Sequence, residues 1–438
     1  MKLTTKLNGI NRYPFHMPGH KRNGAFNIVG SDIDITEIDG FDNLHNPTGV
    51  LLDIENRLSA IYKSEKSFML VNGSTGGILS AVFAICKEND KIIIARNCHK
   101  SVYNACMLRK LRVSYIEPGY DYANGCYKRI DQQSIDLAVK ENPDAAAIVI
   151  TSPTYEGMIS NVRSPIPMII DAAHGAHLGI GLFPAYPRAD IVISSLHKTL
   201  PALTQCAVAN IYNKKYISAF KQYNDIFETS SPSYVLMSSV DKCCDFIENS
   251  KGSFNDYYRN LCEFRTIELE NLRLEYCDDI SKIIISAANA DINGTKLADI
   301  LRKDYAIEIE MASLNYIIAM TSVADSKEAL DRLKAALIEI DGRLSPASAE
   351  LLEKPPVAKG STVISIDDNG AAVDLSQGVN RRSNEFVYAY PPDIPIIVPN
   401  EIITRESVLY LKGLIKSGVC VISDSNLLPN KLLTKQEQ

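Results

Sequence analysis

The stretch PMIIDAAHGAHLGIGLFPAYPRADIVISSLHK, residues 167–198, decides the fold. Its two short apolar runs, PMII and ADIVIS, end in polar residues: Asp171 closes the first, and Ser194 and Ser195 close the second, with Leu196, His197 and Lys198 following at once. Apolar runs without polar alternation predict strands buried on both faces, as in a parallel sheet covered by helices. Working outward, the pattern recurs in SFMLV, KIIIAR and AAAIVIT before this stretch and CAVANIY after it, so that residues 67–212 read as one α/β domain. Between SFMLV and KIIIAR, VNGSTGG reads as a Gly-rich turn and ILSAVFAICKEND as the buried helix that follows it.

Beyond about residue 280 the pattern changes. KIIISA, a helix near TKLADILRKDY, the runs IEIEMAS and YIIAMTS, and a helix through KEALDRLKAALIEI predict a smaller α+β domain. The sequence thus divides into an irregular N-terminal arm over 1–50, a large domain over 51–280, the α+β domain over 281–345, and a C-terminal segment over 346–438. SPASAELLEKPP reads as the linker to that segment, which holds the turn-rich YAYPPDIPIIVPNE.

Composition argues against some classes of partner. A formal net charge of -6 gives no electrostatic reason to expect nucleic acid or an anionic membrane, and small molecules or proteins fit better. No run approaches the roughly 20 apolar residues of a membrane span, and the start lacks the apolar stretch of a secretory signal, so a cytoplasmic protein is expected. Ten scattered cysteines, with Cys243 and Cys244 adjacent rather than in a CxxC, predict reduced and mostly buried thiols, Cys98 included.

All seven histidines fall within the first 197 residues, which invites a metal reading. Against it, Pro18 and Gly19 break the helix that His16 and His20 would need as an i, i+4 pair, and no HExxH is present; no metal is assigned, although Asp171, His174 and His177 have the right donors. A better account lies at the strand ends, which in an open α/β sheet converge on one crevice. There stand Lys198, Asp171 and the loop of Gly73, Ser74, Thr75, Gly76 and Gly77, whose amides and hydroxyls suit a phosphate. An amine, a carboxylate for a ring nitrogen and a phosphate cup are what pyridoxal 5′-phosphate (PLP) requires.

SSLHKTLPALTQCA resembles the Schiff-base segment of the ornithine/lysine/arginine decarboxylases, a branch of the fold-type-I, aspartate-aminotransferase-like PLP enzymes. FHMPGHKRN, DGFDNLHNPTGVL, VNGSTGG, ARNCHKSVYNA, SPTYEG and DAAHGAH agree in the family's order, and the length is similar to the short bacterial form. The resemblance implies that Lys198 forms the internal aldimine, that Asp171 pairs with the pyridine nitrogen, and that Ser74, Thr75, Gly76, Ser195 and His197 surround the phosphate. It further implies that His99 stacks on the ring, that His174 lies close to the cofactor, and that Thr154 and Tyr155 line the approach. The bland alternatives are a histidine capping a loop at 99 and a structural turn around Pro153.

The implied activity is decarboxylation of a basic amino acid in at least a homodimer. Glu385 and Asp393 are candidates for the acidic partner of the substrate's side chain. Departures from the family pattern concentrate near the C-terminus, where Asn380, Asp393 and Asn400 stand in place of glycines and Arg382 in place of isoleucine. Asn and Asp tolerate left-handed backbone, so the turns are expected to survive. Near the start, Asn43 stands where an acidic residue is common. Two rival readings are an aminotransferase, with Arg381, Arg382 or Arg405 holding the substrate carboxylate, and a non-catalytic PLP-binding homologue.

Overall fold

In the computed structural model, which describes residues 2–348, 351, 353, 354, 356–358 and 360–436, all six apolar runs are strands. They are Lys66–Leu70, Lys91–Ala95, Ala145–Thr151, Met168–Asp171, Ile191–Ser195 and Ala207–Ile211. The chain divides into two units, one of residues 1–85 and 169–255, the other of residues 86–168 and 256–438.

In the first unit Ile191–Ser195 is central. It runs parallel to the strand ending at Asp171, with Asp171 opposite Ile193, and antiparallel to Ala207–Ile211, with Ser195 opposite Ala207. Lys66–Leu70 pairs antiparallel with Ala207–Ile211, so three strands share a direction and one opposes them. Nearly every residue of these strands is buried, as their unbroken apolar runs require. Ile217–Phe227 and Tyr234–Asn249 are helices of the same unit, and its aromatic contacts include Phe68 with Phe220 at 5.1 Å and Phe83 with Phe227 at 5.0 Å. Buried Glu55 accepts from Lys66 Nζ at 2.6 Å and Met69 N at 3.3 Å, so the charged start of the first strand is fixed from beneath. Among the described residues, 2–49 hold only a short helix, Leu3–Asn8, and a 3₁₀ turn, Gly24–Phe26, among bends and turns, and a second helix begins at Val50.

The Gly-rich segment departs from expectation. The helix begins at Gly73 and ends at Ile85, so GSTGG is its first turn and not a loop before it. Gly73 has φ +71°, which lets the chain turn from strand to helix in two residues. Gly77 permits the close approach that follows: a Cβ there would lie 2.6 Å from Leu70 Cδ1 and 2.9 Å from Ile193 Cγ2.

In the second unit Lys91–Ala95 runs parallel to both Arg112–Ile116 and Ala145–Thr151. Arg112–Ile116 was not among the expected strands; its sequence RVSYI opens on an exposed arginine and carries a central serine, which hides the apolar run. Thr362–Val363 adds an antiparallel edge. A second sheet, in the order Arg273–Leu274, Lys282–Ser286, Tyr316–Met320, Met311–Ala312, is antiparallel throughout and is accompanied by helices Gly294–Tyr305 and Lys327–Asp341, which is the expected α+β arrangement. IEIEMAS contributes only Met311–Ala312 to it. The linker read at SPASAELLEKPP lies partly outside the described residues.

The C-terminal part of this unit has its own core of Leu375, Val387, Ile397, Ile403, Val408, Leu411 and Leu432. Asn380, Asp393 and Asn400 have φ of +68°, +61° and +71°, so the turns do survive without glycine. Arg96 is buried, and its guanidinium donates to Tyr103 Oη at 3.0 Å and to the carbonyls of Pro395 at 2.5 Å and Ile396 at 3.0 Å. No described helix is long and apolar enough to cross a membrane.

The packing of the Gly73 helix generates a prediction. Gly77→Ala should lower the free energy of unfolding by ~1–3 kcal/mol through overpacking, read as a lower denaturant midpoint at unchanged slope; an unaltered midpoint would remove Gly77 from the determinants of helix placement.

Candidate active site

Lys198 lies in the one-turn helix Leu196–Thr199 that follows directly on strand Ile191–Ser195. The turn hangs from one carbonyl: Cys206 O accepts from Leu196 N at 3.0 Å, His197 N at 3.3 Å and His197 Nδ1 at 2.9 Å. The last of these places the His197 proton on Nδ1 and leaves Nε2 as an acceptor. Burial, and less strongly the adjacent Lys198 charge, hold the His197 imidazole below its usual value.

The chain leaving Asp171 supplies the other side. Asp171 is 3% exposed and its Oδ1 accepts from Ala173 N at 3.1 Å, an Asx turn that fixes the carboxylate. Ala172 N still bonds to Ile193 O at 2.8 Å, and Gly175 N then closes a turn onto Ala172 O at 2.8 Å. That turn directs buried His174 back toward Lys198, and His174 Nε2 lies 2.9 Å from Lys198 Nζ. His177, three residues on, instead packs edge-on against Phe183 at 4.7 Å.

The helix starting at Gly73 joins them. Gly73 N donates to Gln205 O at 2.8 Å, one residue before the carbonyl that holds the Lys198 turn. Ser195 Oγ donates to Ser74 Oγ at 3.0 Å. Ser74, Thr75 and Gly76 are in the helix's first turn, where amides point outward and favour an anion. Thr199 Oγ1 is buried without a hydrogen-bond partner among the described residues. A lysine amine beside an imidazole, a fixed carboxylate at the neighbouring strand end, and paired hydroxyls at a helix N-terminus form a donor set that fits PLP. The first unit therefore brings together Lys198, Asp171, His174, Ser74, Thr75, Gly76, Ser195 and His197. Sequence reasoning missed the Gln205 and Cys206 carbonyls, because backbone acceptors carry no residue signature.

The remaining candidates lie in the second unit. His99 caps helix Lys100–Leu108: its Nδ1 accepts from Ser101 N at 3.1 Å and sits 2.9 Å from Ser101 Oγ, while Nε2 is 3.7 Å from Asp393 Oδ2. The carbonyl of Asp393 accepts from Lys100 N at 3.0 Å, so the residue that replaces a glycine also anchors this helix. Thr154 holds a turn, its carbonyl accepting from Gly157 N at 2.9 Å and its Oγ1 from Met158 N at 3.2 Å. Tyr155 donates to Glu310, and burial together with that carboxylate raises its phenol above the ordinary tyrosine range.

Glu385 is buried, with Oε2 accepting from Ser425 N at 3.0 Å and Ser425 Oγ at 2.5 Å, and Oε1 from Leu433 N at 2.5 Å. Its carboxylate is committed to the C-terminal strands rather than open to a substrate cation. Arg382 Nη1 is spent on Asn400 O at 2.7 Å, and Arg405 is exposed.

The family model described as Orn/Lys/Arg decarboxylase, major domain, matches residues 2–273. The arginine decarboxylase of Bacillus subtilis (strain 168) is 28% identical, with 97% of this chain and 95% of that protein covered. Among solved structures, the constitutive lysine decarboxylase of E. coli superposes with a TM-score of 0.78 at 18% identity, covering 99% of this chain and 82% of that one. SPT, solved with PLP as an internal aldimine, has the same fold at a TM-score of 0.52 and 12% identity, over 67% of this chain and 76% of that one.

The depressed His197 imidazole gives a pH prediction. With its folded value below the unfolded one, its stabilising contribution is full above the ordinary histidine value, about pH 6.5, and is lost as pH falls through the folded value. His197→Gln should therefore lose less melting temperature than the parent protein between about pH 7 and pH 5; parallel curves would show that His197 titrates alike in both states.

Proposed function

The chain belongs to the Orn/Lys/Arg decarboxylase family, and from that premise we propose that it is a PLP-dependent enzyme that releases carbon dioxide from a basic L-amino acid, arginine before lysine or ornithine. The carrying observation is the 2.9 Å contact of Lys198 Nζ, in the turn after strand Ile191–Ser195, with His174 Nε2, three residues past the Asp171 strand end. Arginine is placed first because relatives that cover more than nine-tenths of the chain carry the name arginine decarboxylase.

In this reading Lys198 carries the cofactor, Asp171 faces its ring nitrogen, and Ser74, Thr75, Gly76 and Ser195 hold its phosphate. Bound PLP supplies an electron sink for the pair released when the carboxylate leaves. The protein's own part is to place groups and protons. Asp171, fixed by Ala173 N, presents a carboxylate that keeps the ring nitrogen protonated. His174 Nε2 stands 2.9 Å from Lys198 Nζ, so a proton given up at Nζ to the substrate's Cα would be replaced from the imidazole. His197, held neutral with its Nδ1 proton on Cys206 O, supports the turn without adding a charge beside Lys198.

A homodimer or higher homo-oligomer belongs to the same reading. The N-terminal segment exposes Phe15 at 94% and Val29 at 100%, with Tyr13, Met17 and Phe26 also outward, which is an apolar surface suited to a second copy. A cytoplasmic location, ten free thiols and a role in polyamine biosynthesis are consistent with it.

Purified protein with added PLP should convert arginine to the corresponding amine and carbon dioxide without a keto acid, as read by mass spectrometry on arginine, lysine and ornithine. Keto-acid formation would replace this reading with transamination. Borohydride reduction should fix PLP to Lys198 in the peptide map, and Lys198→Ala should show no such adduct. His174→Ala should lower kcat by about 10²–10⁴-fold while keeping that adduct.

A further inference from the structure

The second unit holds a cleft whose walls include Tyr120, Tyr127, Tyr316, Tyr410 and Met311, with the carboxylate of Glu156 among them. Glu156 is 5% exposed. Its Oε1 accepts from Tyr316 Oη at 3.1 Å, and burial raises its carboxyl above the ordinary range against the hydrogen bonds from Thr154 and Tyr316. No basic side chain among the described residues pairs with it. A buried carboxylate lacking a cation is costly, and a cationic ligand relieves that cost.

The other charges at the cleft are already matched. Arg96 is held by two carbonyls and the Tyr103 hydroxyl, with Glu401 Oε2 at 4.0 Å. Lys354 pairs with Glu117, and its ammonium lies 5.1 Å from the Tyr120 ring centroid and 5.3 Å from that of Tyr127. The walls thus already accept one ammonium on their aromatic faces. Among the described residues no cation at the cleft is left over to receive an α-carboxylate, so the surroundings favour a cation without one.

We propose that this cleft binds a small aliphatic amine or guanidine lacking a carboxylate, with its charged end on Glu156 and its chain against the tyrosine rings. The choice of such an amine, the class the reaction produces, rests on the decarboxylase reading; the preference for an organic cation rests on Glu156 and the rings alone. An amine held here would make product accumulation felt at a second position.

The test is equilibrium dialysis of holoenzyme against 4-aminobutylguanidine, with 4-guanidinobutanoate, which carries a carboxylate but no α-amine to react, and 1,4-butanediol as comparisons. The amine should bind at least tenfold more tightly at this site than 4-guanidinobutanoate, and the diol should not bind. Glu156→Gln, which keeps shape and removes charge, should weaken the amine at least tenfold. Met311→Trp, which fills the cleft and leaves the carboxylate intact, should block it, so the two variants together separate loss of ligand from loss of fold. Amine binding that is unchanged in both, or that vanishes in Lys198→Ala while persisting in Glu156→Gln, overturns the proposal. Glu156-dependent amine binding by a protein that releases no carbon dioxide from any basic amino acid would keep this site and reject the decarboxylase reading.

Discussion

Two consecutive carbonyls, Gln205 O and Cys206 O, hold the candidate site of the first unit together. One receives the amide that starts the Ser74 helix, and the next receives two amides and a ring nitrogen from the Lys198 turn. Gln205 itself has φ +79°, an unusual conformation for a residue with a Cβ, and it persists because both neighbouring hydrogen-bonded groups depend on it. The anion-favouring helix start and the amine-bearing turn are therefore set in register by backbone, before any ligand is considered.

That arrangement explains what was legible in the amino acids and what was not. The strands were readable because burial on both faces leaves an unbroken apolar run, and the candidate residues were readable because they stand at the ends of such runs. The start of the Ser74 helix was not, since the glycines of GSTGG read as a loop, whereas Gly73 makes the turn into the helix and Gly77 lets it press against Leu70 and Ile193. Propensity yielded there to close packing. Arg112–Ile116 escaped notice for the opposite reason: a serine in mid-strand is paid for by Asn142 Oδ1 at 2.9 Å, a partner that local sequence does not reveal.

Residues of the C-terminal part show a different limit. The left-handed positions of Asn380, Asp393 and Asn400 followed from residue chemistry alone, because the steric rule acts within a single residue. Glu385 did not follow, since its partners lie 40 and 48 residues away and turn a candidate ligand for substrate into a clamp. Glu156 carries no signal of its own within SPTYEG, because only the assembled tyrosine walls give its charge meaning.

The clamp at Glu385 also bears on how this protein can be handled. Removing the chain from Ser425 onward would strand a buried carboxylate that now receives three donors, and would strip Leu432 from the apolar cluster it completes. The final strand is thus a keystone and not an appendage. Shortened versions would forfeit the integrity of the whole terminal module, whereas extensions past the last described residue leave the clamp's three donors in place.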